Sequence, residues 1–499
     1  MVKQNCMKWV CASILVMSFL CTPLHSAEDP LKRGMDLYAR HRYEEAAGML
    51  VTLLSEAKAG EQGRLYLTTG MACLKNAELY RELSRASVFV HLDYFTRLSA
   101  QKGKDRSRFV DLFLGETLLE AGNPEKAAAC FKKFLAAKGV NATYMAIARV
   151  GLGAALYEQG KRQDALKLWA GIDQADPEVL SEIAAAYCAA GLVQKDPAAM
   201  VERALAMVEA SGGVPSMRLL ANAIGVYGGT GRIGKGIELL RQADMMTCSF
   251  EESPAAHKVI RFYDLALLRV LSQFYGKASV EYLEKALTDP KVQDAARYYL
   301  GEAYALTGDV DRSIAMTDVF ISSASMSEQY KCMAQVRQAA NRYRNGGKAD
   351  ALAVLNTLTR EHADPFILAD ILLTCSRLNI ESPEAVTRAT VLTEQGEGKR
   401  LSAVLFALGK YYMERKDHDK ALVFMEAGRD KGNKNRIEYN DPLMLVNLAE
   451  AYYRTRQFSE ALEIYFAMSA HFPAVRQIQV ALQGVYSMEE RSAGDVKIF

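Results

Sequence analysis

Small and large residues recur along this chain at a fixed helical spacing. Gly153, Leu156, Ala165 and Trp169 set the pattern, a small residue followed by large, small and large ones at offsets of 3, 12 and 16. The same offsets return at Gly34, Leu37, Ala46, Leu50, at Gly115, Leu118, Ala127, Phe131, at Gly409, Tyr412, Ala421, Met425, and at Ala449, Tyr452, Ala461, Tyr465. Looser copies lie at Gly301, Tyr304, Ser313, Thr317, at Ala339, Arg342, Ala351, Leu355, and at Ala266, Arg269, Ala278, Tyr282. Residues three apart share one helix face, so each copy predicts a first helix and a second that crosses it closely. Gly122-Asn123-Pro124, Gly160-Lys161, Gly308-Asp309 and Gly346-Gly347 fall between the paired helices. Glycine there takes the left-handed position after a helix, and Pro124 opens the next one. Pro177, Pro290, Pro365, Pro442 and Pro473 mark unit boundaries, where a helix starts without losing a hydrogen bond. No stretch sustains an apolar–polar alternation, so the expected fold is all-α with essentially no strand.

These residues resemble the tetratricopeptide repeat (TPR), a helical hairpin with this small/large signature and a frequent proline at the end of each unit. The resemblance implies a right-handed α-solenoid of about eleven to twelve hairpins, in which no unit buries its own core and stacking is obligatory. It divides the chain into an N-terminal array over 27–245, a C-terminal array over 246–488 closed by a capping helix at Gln477 to Met488, and a flexible tail over 489–499. The sequence departs from the family pattern in places. The first-helix Trp is absent, Leu65 to Gln101 carries over-long helices, and Pro365 to Gly396 keeps helical composition without the key positions.

The first 26 residues follow a different logic. Lys3 and Lys8 give a positive start, Trp9 to Cys21 an apolar stretch, and Thr22-Pro23-Leu24-His25-Ser26-Ala27 a small-residue exit. That order is a secretory signal peptide, cut after Ser26 or Ala27. Leu20 is too bulky to precede a lipid-attachment site at Cys21. The apolar run is also too short to span a bilayer, so no integral membrane segment is expected after cleavage.

Charge narrows the partners. The chain has 61 Lys+Arg against 59 Asp+Glu, and losing Lys3 and Lys8 with the leader brings the balance to zero. A neutral chain has no basic field to recruit nucleic acid or an acidic membrane surface. With 50% apolar and 24% charged residues the composition is globular rather than disordered. Six cysteines remain after processing: Cys73, Cys130, Cys188, Cys248, Cys332 and Cys375. They lack CxxC spacing and fall in separate helical segments, so free thiols are expected rather than zinc ligands or disulfides.

Several motifs carry a possible chemistry and a plainer reading. Gly229, Gly231, Gly234 and Lys235 fit most of a nucleotide-binding loop, but Gly236 replaces the hydroxyl residue and a helix, not a strand, precedes them. Glu252-Ser253 and Glu381-Ser382 supply the acid–serine pair of lytic transglycosylases. Both stand before a proline, as helix starts do, without that family's glycine-rich motifs. None of the mature histidines (His41, His91, His257, His362, His418, His471) has a partner at the i, i+4 spacing of a helical metal site. No catalytic residue, cofactor or metal is expected.

Function then falls to the concave face lined by first helices. The repeat register places Tyr38, Tyr157 and Tyr453 near the ends of first helices, with Tyr298 and Phe406 half a helix earlier. Glu116, Glu302 and Glu450 share one repeat position, as does Lys410. Where chaperone-tail TPR proteins place a carboxylate clamp, this chain has Leu112, Phe113, Val150 and Gly151. A groove of tyrosines and glutamates fits a protein or peptide partner with apolar side chains and basic groups. The resemblance extends to exported, periplasmic TPR scaffolds of the bacterial cell envelope, which serve assembly, secretion, or polysaccharide and pilus export. The alternative is an envelope enzyme or enzyme subunit whose active site hides inside the superhelix.

Overall fold

The structure, a computed structural model, describes residues 30–54, 62–100, 109–232, 235, 236, 238, 239, 264–323, 326–395, 400–433, 441–469, 472 and 475–495. Among them are twenty-two α-helices and no strand. Nine pairs form hairpins: α1 (Pro30–Ala39) with α2 (Tyr43–Leu54), α4 (Val110–Glu120) with α5 (Pro124–Leu135), α6 (Ala142–Glu158) with α7 (Arg162–Ala170), and α8 (Pro177–Ala189) with α9 (Pro197–Ala210). Further along are α12 (Gln293–Thr307) with α13 (Val310–Ile321), α14 (Glu328–Arg344) with α15 (Lys348–Glu361), α16 (Pro365–Arg377) with α17 (Pro383–Gln395), α18 (Arg400–Glu414) with α19 (His418–Asn433), and α20 (Pro442–Arg454) with α21 (Phe458–Ser469). Four helices stand outside this scheme: α3 (Gln62–Ala100), α10 (Met217–Gly229), α11 (Asp264–Ala286) and α22 (Val475–Asp495).

The repeated spacing has one physical cause. A Cβ built on Gly115 would lie 2.9 Å from the Phe131 ring, and one on Gly34 would lie 2.8 Å from Leu50. Gly301 faces Thr317, Gly153 faces Trp169 and Gly409 faces Met425 in the same way. In each hairpin the large residue sixteen positions on fills the space that the missing side chain leaves. Boundaries follow from caps: Asp176, Asp364 and Asp441 each accept a hydrogen bond from the backbone N–H two residues on. Each is followed by a proline in the first helical turn. Pro290 lies instead in the turn before α12, and Pro473 is outside the described residues. Gly308 closes α12 at φ +87°, the left-handed position that glycine takes at least cost.

The over-long helical segment is a single 39-residue helix, α3, about 58 Å from end to end. It is the spine of the molecule. Along one side it pairs antiparallel with α11: Tyr66 stacks on Tyr282, Gly70 faces Leu283, and Tyr80 stacks on Tyr275. Gly63, Gly70 and Ala77, spaced by seven, let the two backbones approach, and Ser272 Oγ donates to the Ala77 carbonyl at 2.8 Å. A Cβ on Gly70 would sit 2.5 Å from Leu283 Cγ. We therefore expect Gly70→Leu to destabilise the chain by about 1–3 kcal/mol through overpacking, read as a lower urea midpoint. An unchanged midpoint would show that the seam is loose.

Candidate functional site

The other side of α3 is a polar stripe, and it lies in the concave face of the C-terminal array. Lys410 of α18 reaches Glu82 at 3.1 Å. Arg85 bridges Glu414 of α18 at 2.7 Å and Glu450 of α20 at 2.8 Å. Tyr453 Oη donates to Asp93 at 2.7 Å, and Arg97 pairs with Glu489 of α22 at 2.7 Å. Burial opposes ionisation of Glu82, but Lys410 and then Arg85 overcome it and bring the carboxyl down to about 2. Glu450, only 4% exposed, also accepts from Arg454. Two of the expected groove residues, Glu450 and Tyr453, thus hold the chain's own helix.

The remaining groove residues divide three ways. Tyr298 and Phe406 are core residues; Tyr298 packs on Phe320 and carries Arg337 4.5 Å above its ring. Tyr38 and Tyr157 are half-buried structural ties: Tyr38 leans on Tyr43, while Tyr157 stacks on Trp169 and donates to the Ala190 carbonyl at 3.1 Å. Glu116 and Glu302 each line a cavity on the inner face.

The Glu116 cavity is a cleft of about 220 Å³ enclosed by α3, α4, α6, α8 and α10. Its walls are apolar, with the rings of Phe95, Phe113 and Phe131 beside the small residues Gly151, Ala154, Ala185 and Ala189. At its floor Arg218 of α10 pairs with Glu116 at 2.7 Å and with Glu182. Burial lifts the Glu116 carboxyl above the ordinary range despite the opposing pull of Arg218. At the rim Glu120 is matched by Arg269 at 3.0 Å. The acids of this face are therefore answered from within, and the surface left for a partner is mainly hydrophobic.

His91 of α3 borders the same cleft. Its Nδ1 lies 2.9 Å from the Ser87 carbonyl oxygen, so that nitrogen carries the proton. Burial drives its pKa down to about 4. The unfolded chain takes up a proton near pH 6.5 while the folded one does not, so this group's contribution is complete above pH 6.5 and is lost as pH falls toward 4. We expect the wild type to lose about 3 kcal/mol more than His91→Gln between pH 6.5 and 4. Parallel denaturation midpoints for the two proteins across that window would refute this.

The other motifs resolve into structure. Of the nucleotide-loop residues, Gly229 ends helix α10, Gly231 is a left-handed turn residue, Lys235 is held by Glu202, and Gly234 lies outside the described residues. Ser382 opens α17, its carbonyl accepting from Val386 N at 3.1 Å and its N–H donating to Tyr411 Oη at 3.0 Å. Glu252-Ser253, Cys248, His257 and His471 lie outside the described residues. Cys73, Cys130, Cys188, Cys332 and Cys375 are free thiols. Sequence reading missed one contact of theirs: Cys332 Sγ lies 3.3 Å from His362 Nε2, about one repeat away. No cluster of three metal-ligating side chains occurs among the described residues, and no described helix is long and apolar enough to cross a membrane.

Stacked hairpins with a shared inner face define an α-helical repeat solenoid. Residues 114–178, from α4 into α8, match the tetratricopeptide repeat family model, so that stretch carries TPR repeats. No curated protein matches it. Among solved structures, the APC/C hetero-tetramer Cut9–Hcn1 is similar at 14% identity, covering 93% of this chain and 98% of its own, with a TM-score of 0.27. The P58(IPK) TPR domain is similar at 14% identity, covering 77% of this chain and 99% of its own, with a TM-score of 0.20. At such scores neither likeness bears on what this chain binds.

Proposed function

We propose that this chain is a non-catalytic, exported scaffold of the bacterial cell envelope that receives a segment of a partner protein in its N-terminal cleft. The observation that carries this reading is the unequal filling of the inner face. In the C-terminal half that face holds a helix, α3, through charged and aromatic contacts. In the N-terminal half it forms a cleft that no other described element fills. TPR repeats support a protein-binding role, and the small wall residues leave room for the apolar side chains of a partner helix or strand. With Glu116, Glu182 and Glu120 already paired, recognition rests on shape and apolar contact rather than on basic groups. Export rests on the leader, Met1 to Ser26, and the periplasm is the compartment it fits.

Two measurements test this. The mature chain and an Ala154→Trp/Ala189→Trp variant, which plugs the cleft, are used to capture proteins from envelope extract. A discrete partner held by the wild type and lost by the variant is expected, and identical retention by both would refute the cleft. Intact mass tests export separately, since a mature chain still beginning at Met1 would remove that claim.

A further inference from the structure

A second cavity, of about 80 Å³, opens where α3 passes the first helices α12, α14 and α16. Its lining carries Arg81, Arg337, Arg344 and Arg377 against Glu78, Glu302 and Asp370. Two of the acids are already matched: Lys75 Nζ lies 2.7 Å from Glu78, and Arg337 Nη2 lies 3.4 Å from Glu302. Asp370 feels the charge of Arg337 and Arg377 and shares the cavity with Arg81, Arg344 and Arg377. Among the described residues none of these three arginines makes an ion pair or side-chain hydrogen bond. The cavity thus presents more positive charge than its own acids neutralise.

The arrangement is not a chance of one helix face. Arg344 and Arg377 end α14 and α16, two successive first helices, and Arg81 reaches them from α3. Burial, and then the charge of Arg377, draw Arg81 below the ordinary guanidinium range, and the same two causes act on Arg344. Like charges have therefore been brought together around one concavity. Burial also pushes Asp370 up to about 6, against the opposing pull of Arg337 and Arg377. Asp370 competes for Arg377, and Glu78 and Glu82 act on Arg81.

We propose that Arg81, Arg344 and Arg377 clamp a compact oxyanion, a phosphate or sulfate group, in this cavity. A guanidinium fork donates to two oxygens of such a tetrahedral anion, and several forks on one group give charge-assisted bonds that a single surface arginine does not. The site is separate from the N-terminal cleft and does not depend on what that cleft holds.

Isothermal titration of the full chain with inorganic phosphate, sulfate and glycerol 3-phosphate, at constant ionic strength with chloride as the reference, tests the proposal. Saturable binding of at least one of the three beyond chloride is expected. Free phosphate and the monoester distinguish a free anion from a group carried on a larger molecule. Arg344→Gln/Arg377→Gln should weaken binding at least tenfold, and Asp370→Asn should tighten it several-fold. Without anion the double variant should melt at the wild-type temperature or above it, because it relieves repulsion; a merely structural role for these arginines would lower it. Arg81→Gln gives an independent reading should the double variant misfold. Binding no tighter than chloride, or unchanged in folded variants, overturns the proposal.

Discussion

Replacing Arg218 with methionine is expected to cost about 3–5 kcal/mol of stability, because breaking a buried pair strands its partners. Methionine keeps much of the stem volume but removes the only Arg or Lys among the described residues that line the N-terminal cleft. Glu116 and Glu182 would then face each other without a counter-charge in a site where burial already lifts the Glu116 carboxyl. The sign of the pH dependence follows. Stranded carboxyls have raised folded-state pKa values, so the deficit should be largest at pH 7 and shrink as pH falls and they protonate. Combining Arg218→Met with Glu116→Gln and Glu182→Gln should recover most of the loss. Urea midpoints at pH 7 and pH 5 for the single and triple variants decide it. A deficit that ignores pH would mean that Arg218 acts through packing alone.

Trp169→Ala is expected to cost a similar amount, about 3–5 kcal/mol. Trp169 is 1% exposed. Its indole N–H donates to the Val150 carbonyl at 3.0 Å, its ring packs between Tyr157 and Tyr187, and it fills the space that Gly153 leaves open. Removing it opens a cavity shared by α6, α7 and α8, two of which wall the cleft. Repeat stability accumulates through neighbouring contacts, so the damage should stay local. Hydrogen exchange should accelerate in α6 to α8 while α18 to α21 keep their protection. Uniform acceleration along the chain would show that the array unfolds as one unit.

Much of the fold was legible because its rules are local. A glycine and the large residue sixteen positions later report one close helix crossing, and Asp364-Pro365 caps α16 even where the repeat signature fades. Buried Leu368, Ile371, Leu372 and Cys375 supply that helix with its core face. Turns without glycine were harder to read: Lys416 and Arg456 sit at φ +62° and +63° in the loops before α19 and α21, where nothing in the side chain announces a left-handed residue. The site was hidden for a different reason. The stripe Glu82, Arg85, Asp93, Arg97 reads as an ordinary solvated helix face, and only the path of the superhelix brings it to Lys410, Glu450, Tyr453 and Glu489. Arg81, Arg344 and Arg377 likewise share no motif, being joined by a crossing between distant parts of the chain. Repeat register brought Glu116, Glu302 and Glu450 to the inner face but also named Tyr298 and Phe406, which are core residues, and it could not show that the chain fills half of that face itself.

The central claim is that α3 occupies the C-terminal half of the inner face and leaves the N-terminal cleft for a partner. Its most direct test is site-specific photocrosslinking in the envelope, with benzoylphenylalanine placed at Ala189 in the cleft or at Phe466 on the outer surface. Ala189 is exposed there and Phe466 is 69% exposed. A discrete crosslinked partner from position 189 and none from position 466 is the predicted result. A partner captured only from position 466 would contradict the account, since binding would then lie on the outer surface.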